Sequence, residues 1–455
     1  MHSFRRHPLF TGALILTLTG FISRLIGFFY RIYLSRILGE EGMGLYQLIS
    51  PVLSLSFSLT AAGYQTAVSK LVAEETARSK SPSAAPLLKA LSISFPLSLF
   101  CNWVLFSNAS FLAARFLQDS RTSPMLRILS FSIPAAAVHA CINGYFYGLK
   151  KTAVPASTQL LEQTVRVGTV FFLTSRAGVQ PAEITVQLAI WGLLIGEIAS
   201  MALSLFSLWN PFSDFSKAHP ASSHAPAPIQ PPATIRSVRL MHLVLPLTAN
   251  RIALNLLQSL ESVSLPSKLK LYGYDAATAL SVYGVLTGMA MPLIVFPNAL
   301  TGSVSVLLLP MIAESYGTGD YRKVKKYTLQ TIRYCTFLGL FCMGVFLFTG
   351  RMIGNLVFQS ELAGHFILTL SFLCPFLYLD TTLSSILQGL GMAGALFGMN
   401  VFSLLIRLAF VYFAVPVYGI SGYLWGIRCS QILLTVLYLL CLLTRRNILT
   451  TAADR

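Results

Sequence analysis

The sequence predicts an all-α polytopic membrane protein, with about twelve transmembrane helices in two parallel six-helix lobes around a central cavity. Three observations carry that reading. Apolar residues make up 55% of the 455 and charged residues 11%, where a water-soluble domain carries about 25% charged. Apolar stretches recur along the chain, each near the ~20 residues that a helix needs to cross the hydrocarbon core. A set of landmark residues also recurs at a fixed separation between the two halves.

The apolar stretches run 10–34, 44–72, 87–107, 125–147, 154–174, 186–208, 239–262, 278–312, 328–349, 363–387, 394–414 and 419–443. The first follows Arg5 and Arg6, as a secretory leader would. Its apolar run continues past Gly20 and through Phe28 with no small-residue cleavage site, so it reads as an uncleaved span. The stretches 44–72 and 278–312 are overlong. One holds Pro51 and the other Pro292 and Pro297, so both are expected to tilt, bend or unwind locally.

The charge is lopsided, with 33 Lys+Arg against 16 Asp+Glu. The basic residues are spread over short loops and form no basic domain, so no nucleic-acid partner is expected. With the N-terminus in the cytoplasm, loops on that side hold more of them, Lys150, Lys151, Arg322, Lys323, Lys325 and Lys326 included. The chain is therefore expected in the bacterial cell (inner) membrane with both termini cytoplasmic. The seven cysteines fall inside apolar segments without a C-x-x-C pair, and read as packing residues.

Residues 210–237 are rich in Pro, Ala, Ser and His and read as a flexible cytoplasmic linker. It divides the chain into an N-terminal lobe, 1–209, and a C-terminal lobe, 238–455, of six spans each. A shift of 241 residues places Ser130-Phe131 on Ser371-Phe372, Pro134 on Pro375, Gly148-Leu149 on Gly389-Leu390 and Arg166 on Arg407. A shift of 240 places Ala73-Glu74 on Ala313-Glu314. This is the mark of an internal repeat. An even number of spans per half keeps the orientation, so the repeat is parallel, about an axis along the membrane normal.

A charge in mid-span costs about 2.5–3.5 kcal/mol even on insertion scales, so such residues are where function is sought. Arg24 lies in the middle of the first span, and Arg31, seven residues on, shares its helix face nearer the outer end. Arg251, Asn255, Gln258 and Ser262 form one polar stripe on the seventh span, expected to face a wet cavity. Arg24 and Arg251 each open a half, and are expected to face each other and hold an anion. On the fifth span Glu162 stands four residues before Arg166 and neutralises it along the helix. Its repeat counterpart, Arg407, has Asn400 and Ser403 but no nearby carboxylate, and is expected to reach toward the cavity. Glu197, Glu261 and Asp380 are buried carboxylates and candidates for proton or cation coupling. His139 reads as a hydrogen-bonded packing residue.

No phosphate-binding loop of the G-x-x-x-x-G-K-[ST] type and no H-E-x-x-H helix is present. No catalytic residue, metal or cofactor is expected. The outer loops are all shorter than about 20 residues, which leaves little room for an extracytoplasmic catalytic domain and favours transport.

The stretch from Ser23 to Arg31, then Leu34 to Gly39, Glu41 to Leu48 and Ala67 to Glu74, resembles the opening of the stage V sporulation protein B group. That group is a branch of the polysaccharide biosynthesis family in the multidrug/oligosaccharidyl-lipid/polysaccharide (MOP) flippase superfamily, whose members share a MATE/MOP-like fold. Lipid II flippases carry a similar S-R-x-x-G-F segment, matched here by Ser23, Arg24, Gly27 and Phe28. They place Arg-Asp where this chain has Tyr30-Arg31, which moves the positive charge about 100° around the helix. The resemblance implies a flippase for an undecaprenyl-pyrophosphate-linked saccharide, lipid II or a polysaccharide precursor, with a central cationic cavity.

The combined expectation is a monomeric exporter working by alternating access on a lipid-linked oligosaccharide among membrane lipids, coupled to H+, Na+ or the membrane potential. Arg24, Arg31, Arg251, Asn255, Gln258 and Arg407 would bind the diphosphate. Two rival readings stay open, a multidrug (MATE-type) exporter and a membrane-embedded glycan polymerase or ligase.

Overall fold

The structure is a computed structural model that describes residues 8–79, 84–177, 182–217 and 237–444. Every regular element among them is a helix. A helix suits a bilayer, because hydrogen bonds closed within the segment satisfy its backbone groups where water is absent. Besides one-turn pieces, the helices are α1 (Pro8–Phe57), α2 (Gly63–Ser79), α3 (Ala85–Ser107), α4 (Ser123–Ser130), α5 (Ser132–Gly148), α6 (Ala153–Ala177), α7 (Ala182–Lys217) and α8 (Ser237–Tyr272). They continue with α9 (Ala276–Gly284), α10 (Met291–Val295), α11 (Asn298–Gly317), α12 (Tyr321–Val357), α13 (Glu361–Ser371), α14 (Cys374–Gly389), α15 (Ala393–Ala409) and α16 (Ile420–Thr444).

Among the described residues, nine helical stretches are long and apolar enough to cross a membrane, and α4–α5 and α13–α14 are two further pairs, bent by 42° and 58°. The first stretch, Ile15–Ala77, has 63 residues. At 1.5 Å per residue it would run about 95 Å, some three bilayer cores, so it holds two of the expected spans. They part at Gly39, whose φ of 66° and ψ of −172° interrupt the helix. The overlong span 278–312 is interrupted, as its prolines predict, and falls into two stretches, Ala276–Val295 and Asn298–Gly317, each long enough alone. Pro297 lacks an N–H and clashes with the preceding turn, which divides them. The expected span 154–174 is helical as α6, but Gln159, Glu162, Gln163 and Arg166 make it too polar to be counted among the nine.

α7 stays helical to Lys217, into the stretch read as linker. The remainder of that stretch, 218–236, and both termini, with their expected cytoplasmic placement, lie outside the described residues.

The chain forms two compact units. The first comprises Met1–Ser23, Val52–Val179 and Gln187–Asn255. Its core joins Tyr64, Val68 and Leu71 of α2 to Leu87 of α3 and to Ile142 and Phe146 of α5. The second comprises Arg24–Pro51, Gln180–Val186 and Leu256–Arg455. Its core joins Ile312, Cys335, Leu383, Leu387, Leu434 and Tyr438, from α11, α12, α14 and α16. Within this unit α1 meets α9 backbone to backbone. A Cβ on Gly284 would lie 2.3 Å from the Gly44 nitrogen, so only glycine fits. Gly44 and Gly284 are 240 residues apart, the separation of the repeat, and so are Gln47 and Thr287, whose side chain and carbonyl meet at 3.5 Å.

Large apolar side chains stand outside both cores. Phe348 is 92% exposed and Phe413 79%. Side chains this apolar are stable there in lipid and not in water. Four of the cysteines, Cys141, Cys335, Cys342 and Cys374, are buried, and Cys429 is exposed.

Candidate functional site

Arg24 and Arg31 sit two turns apart on one face of α1, which in this stretch belongs to the second unit. Near them the chain is irregular. The turn Val285–Ala290 is π-helical, α10 follows for only five residues, and Pro297 starts α11. Pro292 and Pro297 each remove a backbone donor, and π-bulges and proline breaks recur where helices serve a function. The irregular stretch opens a cavity of about 510 Å³. Arg24, Phe28 and Arg31 line it from α1, Asn298 and Gly302 from α11, and Thr381 from α14.

Each of these side chains has a local reason for its place. The Arg24 guanidinium lies over Gly302, where a Cβ would be 3.1 Å from Nη1. Asn298 accepts hydrogen bonds on Oδ1 from Thr381 Oγ1 at 2.9 Å and from Thr301 Oγ1. With its oxygen taken twice, what Asn298 offers a ligand is its amide N–H. Phe28 stacks on Phe296, ring centroids 4.7 Å apart, and gives the wall an apolar face. No carboxylate among the described residues lines the cavity. Among the described residues no acid pairs with Arg24 or Arg31 within 4 Å. Two guanidinium groups and an amide donor, with no acid, make a site for an anion.

The other residues singled out from sequence lie elsewhere. Arg251, Asn255, Gln258 and Arg407 do not line this cavity. Arg251 is exposed on α8 in the first unit. The expected continuous wet stripe on α8 is corrected at Asn255, whose amide donates to Ser58 Oγ and, at 3.4 Å, to the Ser54 carbonyl. Ser54 stands on α1 and Ser58 opens a separate π-helical turn, Ser58–Ala62, directly after it, so Asn255 ties α8 to the end of α1. Gln258 is exposed.

The expectation that Arg407 lacks an acid is also corrected. Its Nε lies 2.5 Å from Glu261 Oε1, and the Tyr423 hydroxyl donates to the same oxygen at 2.7 Å. Glu261 is 3% exposed, and this pair neutralises both of its members. The acid comes from α8 and not from the turn before Arg407, so helical spacing could not show it. Asp380 is buried and accepts from Gln431 Nε2 and, at 2.7 Å, from Thr435 Oγ1. No cation pairs with it among the described residues. Glu162 and Arg166 pair as expected. His139, read as a lone packing residue, lies with Nδ1 3.2 Å from Glu197 Oε2. Sequence reasoning did not single out Asn298, Gly302 or Thr381. Pro292 and Pro297, which bracket the irregular stretch, were the signal that pointed there.

The polysaccharide biosynthesis protein family matches residues 9–316, and the MatE family residues 255–413. Stage V sporulation protein B of Bacillus subtilis (strain 168) is 30% identical over 431 residues, which cover 94% of this chain and 82% of that protein. Lipid II flippase MurJ of the same organism is 23% identical over 406 residues, 84% of this chain and 73% of that one. Among solved structures, an inward-facing multidrug resistance MATE family transporter of the MOP superfamily superposes with a TM-score of 0.72 at 16% identity. The match covers 95% of this chain and 96% of that one. The expected MATE/MOP-like helical fold is therefore the fold this chain has.

Proposed function

Since this chain belongs to the polysaccharide biosynthesis protein family, within the MOP superfamily of flippases and transporters, we propose that it moves an undecaprenyl-diphosphate-linked saccharide from the inner to the outer leaflet of the bacterial cell membrane. The diphosphate binds at Arg24 and Arg31. The observation that carries this is the cavity of about 510 Å³ with two guanidinium groups and, among the described residues, no carboxylate on its wall. The polyprenyl tail stays in lipid while the polar head crosses, and a head bearing two phosphates needs fixed positive charge in a low-dielectric slab. The names of two relatives, stage V sporulation protein B and lipid II flippase MurJ, support a cell-wall or polysaccharide precursor as cargo.

A cationic drug would seek a carboxylate on this wall, which disfavours the multidrug reading. A glycan polymerase would convert its substrate, whereas a flippase returns it chemically unchanged on the other side. The protein works as a monomer by alternating access, with Arg24 and Arg31 the charged hold on the cargo.

The test is headgroup accessibility of fluorescent lipid II, and of an undecaprenyl-diphosphate monosaccharide, in proteoliposomes. Wild type should expose label to an external quencher with time, and Arg24→Ala and Arg31→Ala should slow it by about tenfold or more, the loss of one charge-assisted hydrogen bond. If both variants fold and flip at the wild-type rate, the assignment is wrong.

A further inference from the structure

A second group of charges, half-buried, lies in the first unit, apart from the residues assigned to cargo. α5 supplies His139, α6 supplies Glu162 and Arg166, and α7 supplies Glu197. Two glycines one turn apart on α7 bring them together. A Cβ on Gly192 would lie 2.2 Å from Val170 Cγ2, and one on Gly196 would lie 2.9 Å from the Glu162 carbonyl oxygen. Small residues four apart let two membrane helices approach closely, and Glu197, next to the second glycine, reaches the seam. One ligand atom each from His139, Glu162 and Glu197 lies within 4.8 Å of the others, and Arg166 closes on Glu162.

The charges of this cluster do not balance by themselves. Glu162 and Glu197 bring two negative charges and Arg166 one positive, on side chains only 13–16% exposed. An uncompensated charge taken out of water costs several kcal/mol, so the cluster calls for one more positive charge and no more. A divalent metal would overshoot and would find Arg166 already on one of its ligands. A proton on His139 brings the sum to zero, 3.2 Å from the acid that needs it. No other charged group faces the imidazole among the described residues, neither from α2, α3 and α4, which also pack on α5, nor from the rest of α6 and α7.

We propose that His139, Glu162, Glu197 and Arg166 form a proton-binding site, with one exchangeable proton held on His139 against Glu197. The site does not rest on the flippase reading and is tested without transport. The full chain, with its other histidines replaced by glutamine and 15N-labelled at His139, is placed in sodium-free nanodiscs. The nitrogen signals then report the protonation of the ring.

An ordinary imidazole is mostly neutral at about pH 7.5. Wild-type His139 is expected to be doubly protonated there. Glu197→Gln and Glu162→Gln each remove one negative charge and leave a balanced cluster, so both should lose the imidazolium signal. A direct hydrogen bond alone would make only Glu197→Gln do so, and an imidazolium that persists in Glu162→Gln overturns the charge balance. A neutral His139 in the wild-type chain overturns the proposal outright, whatever the variants do. So does an imidazolium that turns neutral when excess sodium is added, because a metal ion would then hold the place.

Discussion

Gly302 offers the sharpest test of the cationic cavity, because it changes the room around Arg24 and leaves the arginine in place. In Gly302→Ala the new methyl lands 3.1 Å from Arg24 Nη1, 3.7 Å from Nη2 and 3.8 Å from Cζ. Comfortable contact begins near 3.5 Å, so the end of a flexible side chain must give by a few tenths of an ångström. Gly302→Leu puts three further heavy atoms in the same place and drives the guanidinium out. A hydrogen bond to a charged group contributes about 1.5–3 kcal/mol, which is about 10- to 150-fold in Kd. The alanine variant should therefore lose under about threefold in affinity for a short-chain prenyl diphosphate sugar, measured by titration calorimetry on the purified chain. The leucine variant should lose as much as Arg24→Ala, and Gly302→Leu with Arg24→Ala together no more than either, since both remove one interaction. A folded Gly302→Leu protein that binds like wild type refutes the placement of the anion at Arg24. Fully additive losses in the double variant do so equally.

Three further outcomes follow from the packing and the helix caps. Arg407→Leu leaves Glu261 buried and uncompensated, which costs about 3–5 kcal/mol, whereas Arg407→Leu with Glu261→Leu should recover most of the loss in a thermal size-exclusion assay. Gly284→Ala sets a Cβ 2.3 Å from the Gly44 nitrogen, an overlap with backbone that costs about 1–3 kcal/mol or more and should lower the yield of monodisperse protein, while Gly344→Ala, with nothing within 4 Å, should not. Asp275 caps α9 through the Ala277 and Thr278 N–H groups and Asp320 caps α12 through the Lys323 N–H, and bonds from Thr278 and Lys323 hold the two carboxyls below the usual range. A lowered value stabilises the fold above the ordinary carboxylate pKa and is lost as pH falls below it, so amide exchange in both first turns should stay slow down to about pH 4 and quicken beneath that.

Much of this architecture can be read from residue order, because membrane helices announce themselves by length and apolarity. The same is true of Arg24 and Arg31, whose spacing of seven already fixes a shared face. Pro292 and Pro297 marked the irregular stretch without showing that it opens a cavity with Asn298 and Thr381 on its wall. Those two are common polar residues, and their role comes from a contact between α11 and α14 that no local pattern encodes. Pairing across helices was equally hidden. Arg407 looked unpaired because only its own helix could be searched, and its acid stands on α8. His139 looked alone because Glu197 approaches it from α7, across a seam that two glycines make close.

The repeat sharpens what the carboxylates Glu197, Glu261 and Asp380 can do. Arg166 and Arg407 are repeat mates, and each half neutralises its arginine with a glutamate. The first half uses Glu162, one turn back on the same helix, and the second uses Glu261 from another helix. The shift of 241 that pairs these arginines also pairs His139 with Asp380, and both touch the last helix of their own half. His139 meets Glu197 of α7, and Asp380 meets Gln431 and Thr435 of α16. Each half thus has a closed arginine–glutamate pair, and beside it one acid with no built-in counter-charge, Glu197 in the first and Asp380 in the second. An ion can exchange only where charge is left over. Glu261, bound by Arg407 and Tyr423, has none left, so Glu261→Gln should weaken the fold and leave the pH dependence of headgroup movement in proteoliposomes unchanged. Glu197→Gln and Asp380→Asn should move that dependence while the protein stays folded. A pH profile shifted by Glu261→Gln and by neither of the others would place the exchangeable ion at the closed pair and overturn this assignment.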